Sequence, residues 1–273
     1  MALPGQPPAA PGSTREATLP SRAHRQAWQD WGAVNPLFSI LTDPRWRHGG
    51  DVDEFLATGE GTVAQLMAEV DRLGLGRERR AALDFGCGVG RLTAPLARRF
   101  DQAVGVDVAE SMLVTARRLH ASVPNCRFVR NDTDDLSRYA DTSFDLVVRL
   151  FVLQHLDSDR AIETLLAELV RVLAPGGALV VNLCSAVAPP TPPLPLATRA
   201  GLRARAAAGL RRAGVPPGVL YRALDWTPPM TMRPITEARA RAVLEAAGGR
   251  IAHMGEPEGD RGGTVHHFFY VTS

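Results

Sequence analysis

Leu83-Asp84-Phe85-Gly86-Cys87-Gly88-Val89-Gly90-Arg91 runs from a short apolar segment into a glycine-rich turn, and Val104-Gly105-Val106-Asp107 follows as a second apolar segment that ends in a carboxylate. Glycines let a backbone turn tightly and approach a ligand closely, and a helix opened by such a turn attracts negative groups to its N-terminus. The loop alone is weak evidence. Asp107 adds weight, because it stands at the end of the next strand, where nucleotide-binding folds keep the acid that accepts both ribose hydroxyls. Together the two stretches predict a strand, loop, helix and strand of a doubly wound α/β fold, with its ligand at the carboxyl ends of the strands.

Working outward, short apolar runs alternate with amphipathic segments from Arg80 onward, the signature of βα units and a parallel sheet. Strands are expected at Ala81–Phe85, Gln102–Val108, Cys126–Asn131, Phe144–Val152 and Ala178–Leu183. Helices are expected at Arg91–Phe100, Glu110–His120 and Ser158–Leu173, with Pro95 tolerable only in a first turn and Pro175-Gly176-Gly177 stopping the third helix before its strand. After Cys184 come a proline run, Pro189 to Pro195, and an arginine-rich helix between Thr198 and Ala213 that reads as an inserted cap. A helix over Thr236–Ala247 and strands at Arg250–Gly255 and Val265–Thr272 resume the alternation. Upstream, Trp28, Trp31, Phe38, Trp46 and Phe55, then Val63, Leu66, Met67, Val70 and Leu73 at helical spacing, predict a helical preface. The organisation read from this pattern is a disordered tail over 1–20, a helical N-terminal segment or lid over 21–79, a core over 80–184, a cap over 185–233 and the rest of the core sheet over 234–273.

At 273 residues the chain can bury one sizeable core. Its 31 basic and 29 acidic residues leave a formal charge of +2, too little for a nucleic-acid-sized positive field. Cys87, Cys126 and Cys184 show no metal-ligand spacing and read as reduced thiols in a cytoplasmic protein, with no metal site. No stretch approaches the roughly 20 apolar residues that cross a bilayer, and Pro4, Pro7, Pro8 and Pro11 stand where a signal peptide would need an apolar run.

Asp84 followed by Gly86, Gly88 and Gly90 resembles the first motif of the class I S-adenosylmethionine-dependent methyltransferase family, small-molecule type. The resemblance continues through Gly105 to Leu113, Asn131-Asp132, Ser143 to Val148, Val152-Leu153-Gln154-His155-Leu156 and Leu173 to Gly177, so it covers Arg80 to Asn182. It implies a Rossmann-like sheet of seven strands, mostly parallel with the last reversed, and S-adenosyl-L-methionine as cofactor. It also implies residue roles. Asp84 and the loop of Gly86, Cys87, Gly88 and Gly90 would hold the methionine moiety, and Asp107 the ribose diol. Val108 and Met112 would pack on the adenine, and Asp132, flanked by Asn131 and Thr133, would accept its amino group. The backbone of Arg149 and Leu150 would lie near the cofactor's amino group. Asn131 replaces a glycine and Arg149 a small residue usual in that family.

Methyl transfer is a displacement at an activated carbon, so alignment and exclusion of water are the enzyme's main tasks, and a base is optional. His155, just after the fourth strand, is the candidate base; it equally reads as the cap of the next helix or as packing under it. His266 and His267 alternate on the last strand, so at most one faces the core, and His120 suits a helix C-terminus. Trp28, Trp31, Trp46 and Phe55 either roof the cofactor or pack a core. Arg199, Arg203, Arg205, Arg211, Arg212 and Arg222 read either as a solvated helix face or as a clamp for an anionic acceptor. Tyr221, Trp226 and Met230 would then wall the acceptor pocket or merely fill gaps. The expected function is O- or N-methylation of a small molecule, in specialised metabolism by composition, by a monomer or homodimer without nucleic-acid or membrane partners. Three rivals stand beside it: a cofactor binder without transfer, such as a cyclase or scaffold; a nicotinamide oxidoreductase, disfavoured by Arg91 where a glycine is wanted; and a nucleic-acid methyltransferase, disfavoured because Phe151-Val152-Leu153-Gln154 replaces the Asn/Asp-Pro-Pro-Tyr/Phe motif.

Overall fold

The computed structural model describes residues 21–133, 135–186, 199–228, 230, 232–259 and 264–273. The expected tail over 1–20 and the proline run Pro189 to Pro195 lie outside the described residues. Five strands, β1 (Ala81–Phe85), β2 (Gln102–Asp107), β3 (Cys126–Arg130), β4 (Phe144–Arg149) and β5 (Leu173–Ala186), pair in parallel in the order β3-β2-β1-β4-β5. The sheet continues through β8 (Val265–Thr272) to β6 (Arg250–Met254), and β8 runs antiparallel to both neighbours. This seven-strand path is the expected one. The sequence pattern missed β7 (Glu258–Gly259), a two-residue strand on β8.

All six residues of β4 are buried, as both faces of a central parallel strand must be. Asp145 inside it takes the backbone N–H groups of Arg80 at 2.9 Å and Ala81 at 3.1 Å, and the Arg80 guanidinium at 2.7 Å. That carboxylate pins the start of β1 against β4. On one face α6 (Asp159–Arg171) and α9 (Glu237–Ala246) lay Ile162, Leu165, Leu166, Leu169 and Leu244 over Leu83, Val147, Val181 and Phe269. On the other, α3 (Val52–Arg72) and α4 (Thr93–Ala97) press Val63, Leu66, Met67, Val70 and Leu96 onto Ala82, Leu146, Val148 and Val180. The helix α5 (Glu110–Leu119) packs Leu113 and Ala116 near Phe128 of β3.

Three boundaries differ from the sequence pattern. The first core helix is α4, five residues rather than Arg91–Phe100, because the chain through Gly90, Arg91 and Leu92 is still in the turn; Pro95 does fall in its first turn. Pro175-Gly176-Gly177 lies inside β5 and not before it: Leu173 already pairs with Phe144, and the register slips between Phe144 and Leu146. A proline without N–H and Gly176 at φ 71° interrupt the ladder without ending the strand. β4 stops at Arg149 rather than Val152, because Phe151 takes a left-handed φ of 59°.

The N-terminal layer comprises α1 (Arg22–Val34) and α2 (Pro36–Ile40), and Trp31, Trp46 and Phe55 form a buried cluster with Val89 and Met112. Between β5 and α9 stand α7 (Arg199–Arg212) and α8 (Pro217–Leu224). They are tied to the N-terminal layer: Arg211 grips Asp30 with two bonds of 2.9 Å, Arg47 pairs with Asp225 at 2.9 Å, and Asn35 Nδ2 donates to Tyr221 Oη at 3.1 Å. Among the described residues, no helix is long and apolar enough to cross a membrane.

Candidate active site

The carboxyl ends of β1, β2 and β4 open into a cavity of about 1030 Å³ of empty space, its mouth included. That is the edge at which parallel α/β sheets bind ligands. Its floor is the glycine loop. Gly86 and Gly88 line the cavity with φ of 79° and 54°, and a Cβ there would come within 2.4 Å of Val152 and 2.6 Å of Ile40. Both requirements, left-handed backbone and no side chain, select glycine. Gly90, at φ 81°, does not line the cavity; its missing side chain leaves room for Phe128, 2.6 Å from the position of a Cβ.

Asp107 holds this loop in place. One carboxylate oxygen accepts from Gly88 N at 2.9 Å and the other from Ala109 N at 2.9 Å. Burial pushes its pKa above the ordinary carboxylate value, and the N–H groups of Ala109, Gly88 and Val108 partly oppose that. Asp84 lies beside it, buried, accepting from the Thr93 hydroxyl at 2.6 Å. Burial pushes the Asp84 carboxyl up to about 6, while Thr93 and Arg91 pull it down and Asp107 pushes it up. Arg91 is the cation of this floor. It reaches Thr62 at 3.2 Å and Thr58 at 3.4 Å on α3, burial lowers its pKa, and its buried Nε has no hydrogen-bond partner among the described residues.

Other expected positions separate. Cys87, Val108, Met112, Asn131, Thr133, Leu150 and His155 line the cavity. Asp132 does not; its side chain is 57% exposed and sits 3.7 Å from Arg130. Asn131 and Thr133 instead shape the turn, Asn131 Nδ2 donating to Thr133 O at 2.8 Å and Thr133 Oγ1 to Asp135 Oδ1 at 2.9 Å. Arg149 is fully buried and does not line the cavity; its guanidinium stacks 5.3 Å from the Phe85 ring.

Trp28 and His155 share one wall, ring centroids 5.1 Å apart in an edge arrangement, whereas Trp31, Trp46 and Phe55 belong to the core cluster. Phe151 lines the cavity between the rings of His266 and Phe268, and its N–H is held by Asn182 Oδ1. Among the described residues, the cap arginines do not reach the cavity. Arg211 is committed to Asp30, Arg203, Arg205, Arg212 and Arg222 are exposed, and the side chain of Arg199 lies outside the described residues. Tyr221 and Trp226 do not line the cavity either, and Met230 packs on the tryptophan cluster. His120 is structural, with Nε2 3.1 Å from Val89 O and its ring stacked on Phe128. No group of three or more metal-ligating side chains converges among the described residues.

Sequence reasoning missed His24, Ser39, Ile40 and Phe151, all of which line the cavity. His24 stood four residues before Trp28, the helical spacing that puts both on one face, and that was the one available signal.

Comparison with known proteins agrees with this geometry. A family model described as a methyltransferase domain matches residues 83–181. The chain is 38% identical over 166 residues to a demethylmenaquinone methyltransferase of Clavibacter sepedonicus, covering 61% of this chain and 56% of that protein. It is 40% identical over 102 residues to a trans-aconitate 2-methyltransferase of Deinococcus radiodurans, covering 37% and 36%. The chain thus spans about half or less of these relatives. Among solved structures, the magnesium protoporphyrin IX methyltransferase of Synechocystis, crystallised with bound SAH, superposes with a TM-score of 0.55 at 21% identity, covering 92% of this chain and all 100% of that one. A methyltransferase of Leishmania major gives a TM-score of 0.58 at 15% identity, covering 92% and 83%. These two likenesses are of fold. The matched segment runs from within β1 to within β5 and carries the glycine loop with its two acids, so this part of the chain is similar to a methyltransferase domain.

Proposed function

We propose that the protein transfers a methyl group from S-adenosylmethionine to an oxygen or nitrogen of a small molecule. The observation that carries the reading is a cavity floored by a buried carboxylate, Asp84, a half-buried one, Asp107, and a glycine loop, and walled by Trp28, Phe151 and His155. The residues fit the cofactor. A buried carboxylate, Asp84, with Arg91 among its charged neighbours, and a half-buried one, Asp107, favour a cationic ligand, and the left-handed backbone at Gly86 and Gly88 shapes the turn beneath it. S-adenosylmethionine, when bound, supplies a methyl group carried on a sulfonium.

The chain's residues divide the remaining work. Asp84 and the loop through Gly86, Cys87, Gly88 and Gly90 hold the methionine portion, Asp107 takes the ribose hydroxyls, and Val108 and Met112 pack on the adenine. Asn131 and Thr133 border the adenine amino group, and the backbone at Leu150 borders the cofactor's ammonium. Trp28 and Phe151 exclude water and hold the acceptor in line, with His155 on the wall beside Trp28. The segment 21–79 and the cap 185–233 serve as a lid over the core. We place the enzyme in the cytoplasm and in specialised metabolism, acting on free small molecules.

Calorimetric titration with S-adenosylmethionine, S-adenosylhomocysteine and NAD(H) tests the reading. Micromolar binding of the first two, weakened at least about 30-fold in Asp107→Ala by loss of charge-assisted bonds of about 2 kcal/mol, is expected. Binding of NAD(H) alone, or of none, would overturn it.

A further inference from the structure

His24, in the first turn of α1, lines the same cavity as the glycine loop, and its Nδ1 stands 3.4 Å from Asp157 Oδ1. Asp157 belongs to the loop between β4 and α6, immediately beyond the His155 turn, so the contact joins the N-terminal helix to the carboxyl edge of the sheet. Its second oxygen is also committed to α1, accepting from Ser21 N at 2.6 Å. One carboxylate therefore fixes both the start of the helix and the imidazole one turn along. The loop is itself braced, because Arg233 donates from its backbone N to Gln154 O at 2.6 Å and from its guanidinium to Asp157 O at 3.3 Å and Asp159 Oδ1 at 3.2 Å. With Nδ1 turned toward a carboxylate at ion-pair distance, the neutral ring is favoured as the Nδ1–H tautomer, which leaves the lone pair on Nε2.

We propose that His24 is the general base of the reaction, with Asp157 as the residue that positions it, so that the N-terminal helix brings the base to the core rather than merely covering it. This rests on the methyltransferase reading. The acceptor's O–H or N–H bond breaks as its heavy atom forms the new bond to the methyl carbon and the carbon–sulfur bond breaks. The proton passes to His24 Nε2, the sulfur leaves as a neutral thioether, and the imidazolium returns its proton to solvent. Asp157 stabilises the imidazolium without taking its proton.

Charges around the ring agree. Burial lowers the pKa of His24, Asp157 raises it and Arg25 on the same helix lowers it, with a net fall that keeps the ring neutral and basic near pH 7. His155 faces it across Trp28, whose ring lies 6.3 Å from His24 and 5.1 Å from His155.

The test uses the full chain saturated with S-adenosylhomocysteine and 4-nitrophenol as acceptor probe, whose phenol and phenolate forms absorb at different wavelengths. At a pH well below the probe's own pKa, a base in the cavity should raise the bound phenolate fraction about tenfold over free probe, the equivalent of one pKa unit. His24→Asn should abolish that rise while S-adenosylhomocysteine affinity stays within about twofold, and His155→Asn should retain it. Asp157→Asn should weaken it and lower the midpoint of the His24 imidazole titration followed by NMR, a change that loss of packing alone would not produce. A phenolate signal that survives His24→Asn, one that disappears only in His155→Asn, or a probe that never ionises in the complex overturns the proposal. Absence of heat with S-adenosylhomocysteine overturns the cofactor reading first.

Discussion

Asp84 carries a conflict between stability and binding that its position makes measurable. The folded chain raises this carboxyl from 3.8 to about 6, chiefly by burial, so the folded state holds its proton more tightly than the unfolded chain does. The resulting stabilisation is fully present below the unfolded pKa and is lost as pH rises through about 6, an effect on the order of 3 kcal/mol. A cationic ligand needs the opposite state. Affinity for S-adenosylmethionine should therefore rise with pH up to and through about 6 and then level off, as calorimetry at stepped pH would show. Asp84→Asn should flatten that profile, weaken binding at least about tenfold, and raise the melting temperature of the ligand-free protein at pH 8 by removing a buried charge. A variant that lost stability at pH 8 would mean that the ionised carboxylate is a structural anchor. Gly86 and Asp107 were legible as parts of a strand-to-helix turn because both act locally, Gly86 through its left-handed backbone and Asp107 through the N–H of Gly88 that it accepts. Asp132 shows the limit of that reasoning: its motif position was readable, but the direction of its side chain depends on the turn that Asn131 and Thr133 build.

At the scale of elements, the α1 helix decides how much of the site is assembled. It carries His24 and Trp28 into the cavity and buries Asp30 on its far turn, where Gln26 at 2.7 Å and the Arg211 fork at 2.9 Å satisfy the carboxylate. Arg211 comes from α7, so the basic stretch that read as an acceptor clamp serves at this position as a strap between helices. Cutting it leaves a buried carboxylate with one partner fewer, which costs about 1–3 kcal/mol locally. Arg211→Ala should speed amide hydrogen exchange in α1 and raise the KM for the acceptor more than it lowers kcat; unchanged exchange in α1 would show that α8, through Tyr221 and Asn35, suffices to hold it. The strands were read well because β1, β4 and the Ala178–Leu183 part of β5 are mostly apolar and buried. The errors fell at their ends. Phe151 ends β4 through a left-handed turn whose N–H is held by Asn182, a partner on another strand, and the bulge at Pro175-Gly176-Gly177 is set by pairing with Phe144, so neither was a local property of the sequence.

For the whole molecule, the glycine loop floors the cavity, and the proposed roof over it is the N-terminal layer, which lines the cavity through His24 and Trp28 and is braced by the helices between β5 and α9. The floor obeys short-range rules and was legible. The roof joins through contacts such as Asp30 to Arg211 and Asn35 to Tyr221, separated by 181 and 186 positions, and no periodicity in the chain announces them. A ligand that touches both layers must stabilise them together. Saturating S-adenosylhomocysteine at about 100 times its dissociation constant adds about 2.7 kcal/mol to the folded state, which for a chain of this size corresponds to a rise in melting temperature of roughly 5–10 °C. If floor and roof form one cooperative unit, that rise should appear as a single sharper transition by both tryptophan fluorescence, which reports the roof through Trp28, Trp31 and Trp46, and far-ultraviolet circular dichroism, which follows the whole chain. Two transitions, with only the circular dichroism signal moving on addition of ligand, would instead mean that the roof melts independently, and that the acceptor rather than the cofactor closes it.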